Sequence, residues 1–222
     1  MSTPGPGALI VEAHAHRLER RHLAGLRELF QRASCPCHCR YWHFDGTKND
    51  WLMRCATSPD DNADAFDADF ERGDDAAQGV VVVAGEDVVG WLKLAPRAAV
   101  PKLRQLPVYR NLPLGDDADV WSIGCMLVDP ARRGRGVARL LVAAAARLSR
   151  AAGKILEAYP TRSAPGPEDA WRGPHELFVE LGFTPFEPNG AQDDPLGLGA
   201  PTHAYPVLRL PPNGVQRPPP LG

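Results

Sequence analysis

The sequence predicts a mixed α/β domain, and three features carry that reading. Two β-branched runs, GVVVVA at 79–84 and VVGWLKLA at 88–95, flank Gly85-Glu86-Asp87 and read as a hairpin. A central-strand candidate, DVWSIGCMLV at 119–128, leads into an alanine/leucine helix at about 135–152. A strand (KILEAYP, 154–160), a helix (PHELFVELGF, 174–183) and a final strand at 203–210 follow. A hairpin, then strand–helix–strand–helix, then a strand implies one right-handed crossover.

Taken in order, residues 1–7 are rich in Pro and Gly and read as a flexible N-terminus. Residues 16–32 place Leu18, His22, Leu26, Leu29 and Phe30 on one side, which predicts an amphipathic helix. Short helices are expected at 48–56 and 60–72, the second announced by Ser58-Pro59. Residues 96–118, with prolines at 96, 101, 107 and 113, read as a loop. In the helix after the central strand, Val137, Leu140, Leu141, Ala144 and Leu148 share a face suited to packing on a sheet. Gly182 stops the last helix. The segment 211–222 is a Pro-rich tail expected to be disordered. The chain therefore reads as one domain over 8–210, with a Cys/aromatic and acidic insertion at 35–75 near the first helices.

The totals narrow the partners. At 222 residues and 44% hydrophobic content the chain supports one good core. A formal charge of −2 gives no general attraction to nucleic acid or to a membrane. No run approaches the about 20 apolar residues of a membrane span, and no signal peptide is visible. Five cysteines, three of them within 35–39, suggest free thiols in a reducing cytoplasm.

The segment 128-VDPARRGRGVARLL-141 departs from ordinary helix chemistry. A helix start favours Ser, Thr, Asp or Asn as its cap. Here Arg133-Gly134-Arg135-Gly136 stand instead, so an external anion is a simple candidate for the cap. Gly134 and Gly136 clear space above the first amides, Arg133 and Arg135 add charge, and Ala138 keeps the turn slim. A dinucleotide fold would need G-x-G-x-x-G within a repeated βαβ unit, and a P-loop would need Gly-Lys-Ser/Thr. Both are missing. An Arg/Gly nucleic-acid segment would be longer and repeated. A bend that only redirects the chain is the remaining alternative.

V-D-P followed by Arg133-x-x-Gly136-x-Ala138, between a strand and an amphipathic helix, resembles the acetyl-CoA signature of the GNAT superfamily of N-acetyltransferases. GEDVVGWLKLAP resembles that family's hairpin, and ILEAYP with HELFVELGF resembles its next strand and Gly-Phe-ended helix. The likeness covers roughly 78–187. It implies a mixed central sheet splayed between its fourth and fifth strands, with flanking helices. Acetyl-CoA would be the cosubstrate. Its pantetheine arm would bond to the backbone of Met126, Leu127 and Val128, and its pyrophosphate to Arg133, Gly134, Arg135, Gly136, Val137, Ala138 and Arg139. A backbone N–H near Cys125–Leu127 would polarise the thioester carbonyl. Pro130 suits the strand exit. A small-molecule or peptide primary amine would attack directly within a ternary complex, the protein supplying mainly position.

A free alkyl amine, with a pKa near ~10, must lose a proton first. Glu157 and Tyr159 on the second splayed strand are the candidates, read as facing opposite sides, and Asp119 stands at the strand mouth. Where many relatives carry a tyrosine acid, this chain has Phe178, so Tyr159, His175 or solvent must serve. Cys125 lacks an evident base and reads as a packed thiol. The cluster Cys35-Pro36-Cys37-His38-Cys39, with His43 and Cys55, has soft ligands, but its spacing is tight for zinc. No metal site is assigned. Redox or regulatory thiols, or packing among Tyr41, Trp42, Phe44 and Trp51, remain open. Residues 60–75 hold eight acids and read as a solvated face, or as an attractor for a cationic amine. The alternatives to an acetyltransferase, as monomer or homodimer, are a non-catalytic acyl-CoA sensor and a thiol- or metal-dependent interaction module.

Overall fold

A computed structural model describes residues 13–106, 109, 113–162, 170–186 and 206–213. The expected flexible N-terminus lies outside these residues, as does most of the expected tail.

One seven-stranded sheet organises the chain, in the order β1-β2-β3-β4-β5-β7-β6. Its strands are β1 (Ala13–Arg17), β2 (Gly79–Ala84), β3 (Asp87–Pro96), β4 (Val120–Val128), β5 (Ile155–Ala158), β6 (Thr184–Pro185) and β7 (Leu208–Leu210). All neighbours are antiparallel except β4 and β5. The helices are α1 (Leu23–Arg32), α2 (Lys48–Thr57), α3 (Pro59–Glu71), α4 (Pro101–Gln105), α5 (Val137–Ala151) and α6 (His175–Glu180). No helix among the described residues is long and apolar enough to cross a membrane.

Strand alternation sends side chains to two cores. One face packs Val80, Val82, Leu92, Ile123 and Met126 against α5 and α6. The other packs Val81, Trp91 and Cys125 against α1, α3, α4 and the aromatic segment around Trp42. Helix α5 buries Val137, Leu141, Ala144 and Ala145 as its pattern requires. Leu140 differs from expectation and is 37% exposed, because it lies at the edge of that stripe. Gly90 admits the helix: a Cβ there would lie 2.6 Å from Val137 Cγ1.

Several boundaries move. The helix expected over 16–32 begins only at Leu23, because residues 13–17 pair with β2 as an edge strand, Ala13 opposite Ala84 and Arg17 opposite Val80. The Glu19 amide donates to His22 Nδ1 at 3.1 Å and fixes a 3-10 turn before the helix. The expected loop at 96–118 contains α4, where Pro101 occupies the first turn, the one place a helix accepts proline without loss. The final strand, expected from 203, forms at 208–210, and 203–205 lie outside the described residues. Two-residue β6 is too short to leave a sequence pattern.

Candidate active site

The site grows from the parting of β4 and β5. They pair at three positions only, ending with Ser122 opposite Glu157. Residues 123–128 continue along β3 with no strand partner on the β5 side among the described residues. The expected split between the fourth and fifth strands is thus present. Leu92 pairs with Met126 and Leu94 with Ile123, so Gly124 and Cys125 both stand opposite Lys93. This β-bulge bends β4 where the split begins and re-aims its amides.

The exit from β4 is anchored through Asp129, the acid of the V-D-P stretch, to which the sequence alone gives no role of its own. The Asp129 amide donates to Val89 O at 3.0 Å. The Asp129 carboxylate accepts from the Ala131 amide at 2.9 Å and from Arg32 Nε at 2.8 Å. Arg32 also donates to Val88 O at 2.7 Å. An Asp directly before Pro130 is the available sequence signal for such a turn.

The double-glycine bend follows. Gly134 has φ +73° and Gly136 φ +81°, in the left-handed region that favours glycine, and a Cβ on either would meet nothing within 4 Å. Gly136 is the N-cap of α5 and provides no side-chain cap. The first amides of a helix have no carbonyl of their own helix to bond, so they face the open bend. Neither Arg133 nor Arg135 pairs with a carboxylate among the described residues, whereas Arg139 pairs with Glu180. Val137 is buried against the sheet, which seats the helix. Uncapped amides, a helix dipole and two unpaired guanidiniums form a cradle that fits a diphosphate by charge and by space. Met126 fixes the other wall. Its side chain is buried and ends against Gly173, where Phe178 also points.

At the crotch of the split lies a buried charge cluster. Glu157 is fully buried and accepts from Arg97 Nη1 at 2.9 and 3.1 Å, from Arg209 Nε at 2.6 Å and from the Tyr159 hydroxyl at 2.5 Å. Tyr159 also meets Ser122 Oγ at 2.8 Å. Glu157 and Tyr159 therefore share a face rather than opposing each other, as residues two apart on a strand must. Burial, followed by the Glu157 charge, pushes the Tyr159 phenol well above its ordinary value. Arg97 continues to Asp117 at 2.6 Å. Asp119 is exposed and paired with Lys154 at 2.9 Å.

Aromatic rings wall the opposite side. Trp42 Nε1 donates to Cys125 Sγ at 3.2 Å, and its ring lies 5.5 Å from Trp171. Tyr109 lies 5.2 Å from Tyr159, and Arg172 stacks 4.3 Å from the centre of Trp171. Cys125 is a packed, indole-bonded thiol. Phe178 is fully buried and stacks edge-on with Phe183 at 5.3 Å. His175 Nε2 is buried with no hydrogen-bond partner among the described residues. No three His, Cys, Asp or Glu side chains among the described residues converge so as to hold a metal ion. The acids of α3 are partly consumed in pairs: Arg27 holds Asp64 and Asp67, each at 2.8 Å.

Comparison with known proteins agrees with this layout. No curated protein matches the sequence. An uncharacterized protein from Bacillus halodurans has a similar structure, with a TM-score of 0.51 at 12% identity, covering 91% of this chain and 85% of that one. A GNAT family acetyltransferase from Brucella melitensis, in complex with acetyl-CoA, gives a TM-score of 0.46 at 16% identity, covering 94% and 92%. PaiA N-acetyltransferase from Thermoplasma acidophilum, in complex with coenzyme A, gives 0.49 at 8% identity, covering 90% and 99%. The model of the acetyltransferase (GNAT) family matches residues 47–164, more than half of the sequence and the segment holding the bulged strand and double-glycine bend. The chain belongs to the GNAT family of acetyltransferases.

Proposed function

We propose that the protein transfers an acetyl group from acetyl-CoA to a primary amine by direct attack in a ternary complex. The observation that carries this reading is the open double-glycine bend at the uncapped start of α5, placed beside the split in the sheet. Bound acetyl-CoA supplies an acyl carbon already activated as a thioester. The amides of 134–139, with Arg133 and Arg135, hold its diphosphate. The backbone of Met126, Leu127 and Val128, which has no β5 partner among the described residues, bonds the pantetheine arm. A backbone N–H in the bulged stretch Cys125–Leu127 polarises the carbonyl. The aromatic walls around Trp42 and Trp171 exclude water beside it.

Glu157 and Tyr159 are engaged with each other and with the surrounding protein rather than open to an amine. The carboxylate is shared by two guanidiniums, and the phenol is held protonated by burial. They position the split, and His175 or solvent moves the proton. The acetyltransferase domain is proposed to span 8–210. Free thiols at all five cysteines support a reducing compartment.

The missing tyrosine at Phe178, with Glu157 so tied, also favours a second reading: a sensor that binds acyl-CoA without turnover. The test is thiol release from acetyl-CoA across a panel of polyamines, amino acids, aminoglycosides and peptides, beside calorimetric binding. Release with any amine, lost in Gly136→Glu together with coenzyme A binding, supports the transferase. Saturable binding without release supports the sensor. Binding by Gly136→Glu at wild-type affinity overturns both.

A further inference from the structure

We propose that Cys35 and Cys37 form a reversible dithiol–disulfide site that reacts with hydroperoxides. It lies on the α1–α3 side of the molecule and shares no residue with the acetyl-CoA cradle.

The two sulfurs stand 3.4 Å apart across Pro36, and both side chains are half-buried rather than sealed. A disulfide needs about 2.05 Å, so closure asks for roughly 1.4 Å of sulfur movement. A recess of about 340 Å³ opens beside the pair, lined by Arg27, Ser34, Cys35, Pro36, His38 and Asp60 among others. It gives a small oxidant a route to Cys35, whose sulfur touches that of Cys37. The loop is held in shape from several sides. Asn62 donates to Pro36 O at 3.0 Å, and His38 stacks on Phe30 at 4.3 Å. Ser34, His38 and Cys39 have φ of +50°, +43° and +56°, and they are the only non-glycine residues with positive φ among the described residues. Such a concentration of costly backbone marks a segment shaped for more than packing.

The surroundings divide the roles. The Cys37 sulfur meets the Cys35 sulfur at 3.4 Å, a contact in which either thiol can donate, and accepts from the Cys39 amide at 3.4 Å; the contact with Cys35, then that with Cys39, holds the Cys37 thiol well below the ordinary value. The same bond and burial push Cys35 up. Cys37 is thus the nucleophile and Cys35 the resolving thiol. The Cys37 thiolate attacks one peroxide oxygen, the O–O bond breaks, and the departing alkoxide, or hydroxide from hydrogen peroxide, takes a proton to leave an alcohol or water. The resulting Cys37 sulfenic acid is attacked by Cys35 sulfur, which loses its proton as water departs and the S–S bond forms. The two thiols lose two electrons and the peroxide gains them. Cys39 and Cys125 are buried, and Cys55 stands away from the pair, on the helix 48–57. Cys39 accepts from Trp91 Nε1 at 3.3 Å, Cys125 from Trp42 Nε1 at 3.2 Å, and Cys55 from Asn62 at 3.7 Å.

The experiment treats the reduced full chain with graded hydrogen peroxide and maps the tryptic peptide spanning 33–40, which carries all three clustered cysteines. The expected product lacks two hydrogens, fragments as a Cys35–Cys37 bond, and reverts with dithiothreitol. In Cys35→Ser, a dimedone probe should trap sulfenic acid on Cys37. In Cys37→Ser, thiol loss should slow by about tenfold or more. Cys39→Ser should behave as wild type. A bond mapped to Cys37–Cys39, intermolecular bridging only, or wild-type oxidation rates in Cys37→Ser would overturn the proposal. Should a variant fail to fold, the wild-type peptide map decides alone.

Discussion

Replacing Glu157 separates a proton acceptor from a structural lock. The carboxylate is fully buried, and its side-chain partner Arg97 is 1% exposed. Arg209, at 18% exposure, is the second cation, on Glu157 Oε2. At an effective dielectric of about 20, one charge pair at this range is worth about 4 kcal/mol before desolvation is subtracted. Removing one member of such a buried cluster leaves the others uncompensated and costs about 3–5 kcal/mol. Arg97 retains Asp117 and the carbonyls of Gly115 and Asp116, so the lower end of that range applies to Glu157→Gln. Glu157→Ala also loses the acceptor for Tyr159 and belongs at the upper end. In a chain of this size each kcal/mol moves Tm by about 2–4 °C, so the expected drop is roughly 6–20 °C. Calorimetric melts alongside kcat with a saturating amine make the measurement. A Gln variant that melts within about 2 °C of wild type but has lost turnover would refute the lock and restore Glu157 as the base.

Gly134→Ala should destabilise the fold by about 1–2 kcal/mol through its φ of +73° alone, since its Cβ meets no neighbour. Its larger effect should be on coenzyme A affinity, read by calorimetry; wild-type affinity would mean that the bend does not face the diphosphate. Acid should weaken the fold through His43. Burial, then Lys93 and Arg40, bring its pKa from 6.5 down to about 3, so between those values the unfolded chain binds a proton that the folded chain refuses. Stability is therefore lost as pH falls from 6.5 towards 3, by about 2 kcal/mol over the first one and a half units. Urea midpoints against pH should show this limb, flattened in His43→Gln; an unflattened limb would assign it to His22 and His38, whose pKa values burial also lowers.

The parts of the fold legible in the sequence are those specified by neighbours along the chain. The β2–β3 turn, the stripe of α5 and the Arg-Gly bend each lie within one short window, and each formed where its residue types demanded. Arg97 carried no such signal. It sits in an unremarkable Arg-Ala-Ala turn, and only the fold brings it to a carboxylate 60 positions away. Strand β1 was hidden because its five residues, Ala-His-Ala-His-Arg, are weak in β propensity and are stabilised by pairing to β2. Backbone built the double-glycine bend, so local chemistry announced it. Long-range side-chain pairs built the Glu157 cluster, and no local pattern encodes them.

That division also locates the proton chemistry. With Glu157 bound by two guanidiniums, Tyr159 held protonated, Asp119 paired with Lys154 and Phe178 lacking a hydroxyl, the titratable groups the sequence nominated reduce to one. His175 opens α6 directly after Pro174, which bridges Thr161, and two positions after Gly173, which abuts Met126 on the split strand. Its Nε2 is buried without a partner among the described residues, a costly state that a substrate or leaving-group contact would relieve. His175→Gln keeps polarity and approximate size but cannot exchange a proton. General acid–base groups contribute typically about 10²–10⁴-fold. We expect kcat to fall by about 10²-fold and coenzyme A affinity to stay unchanged. Turnover within about twofold of wild type would hand the proton to solvent, and the enzyme would then act by position alone.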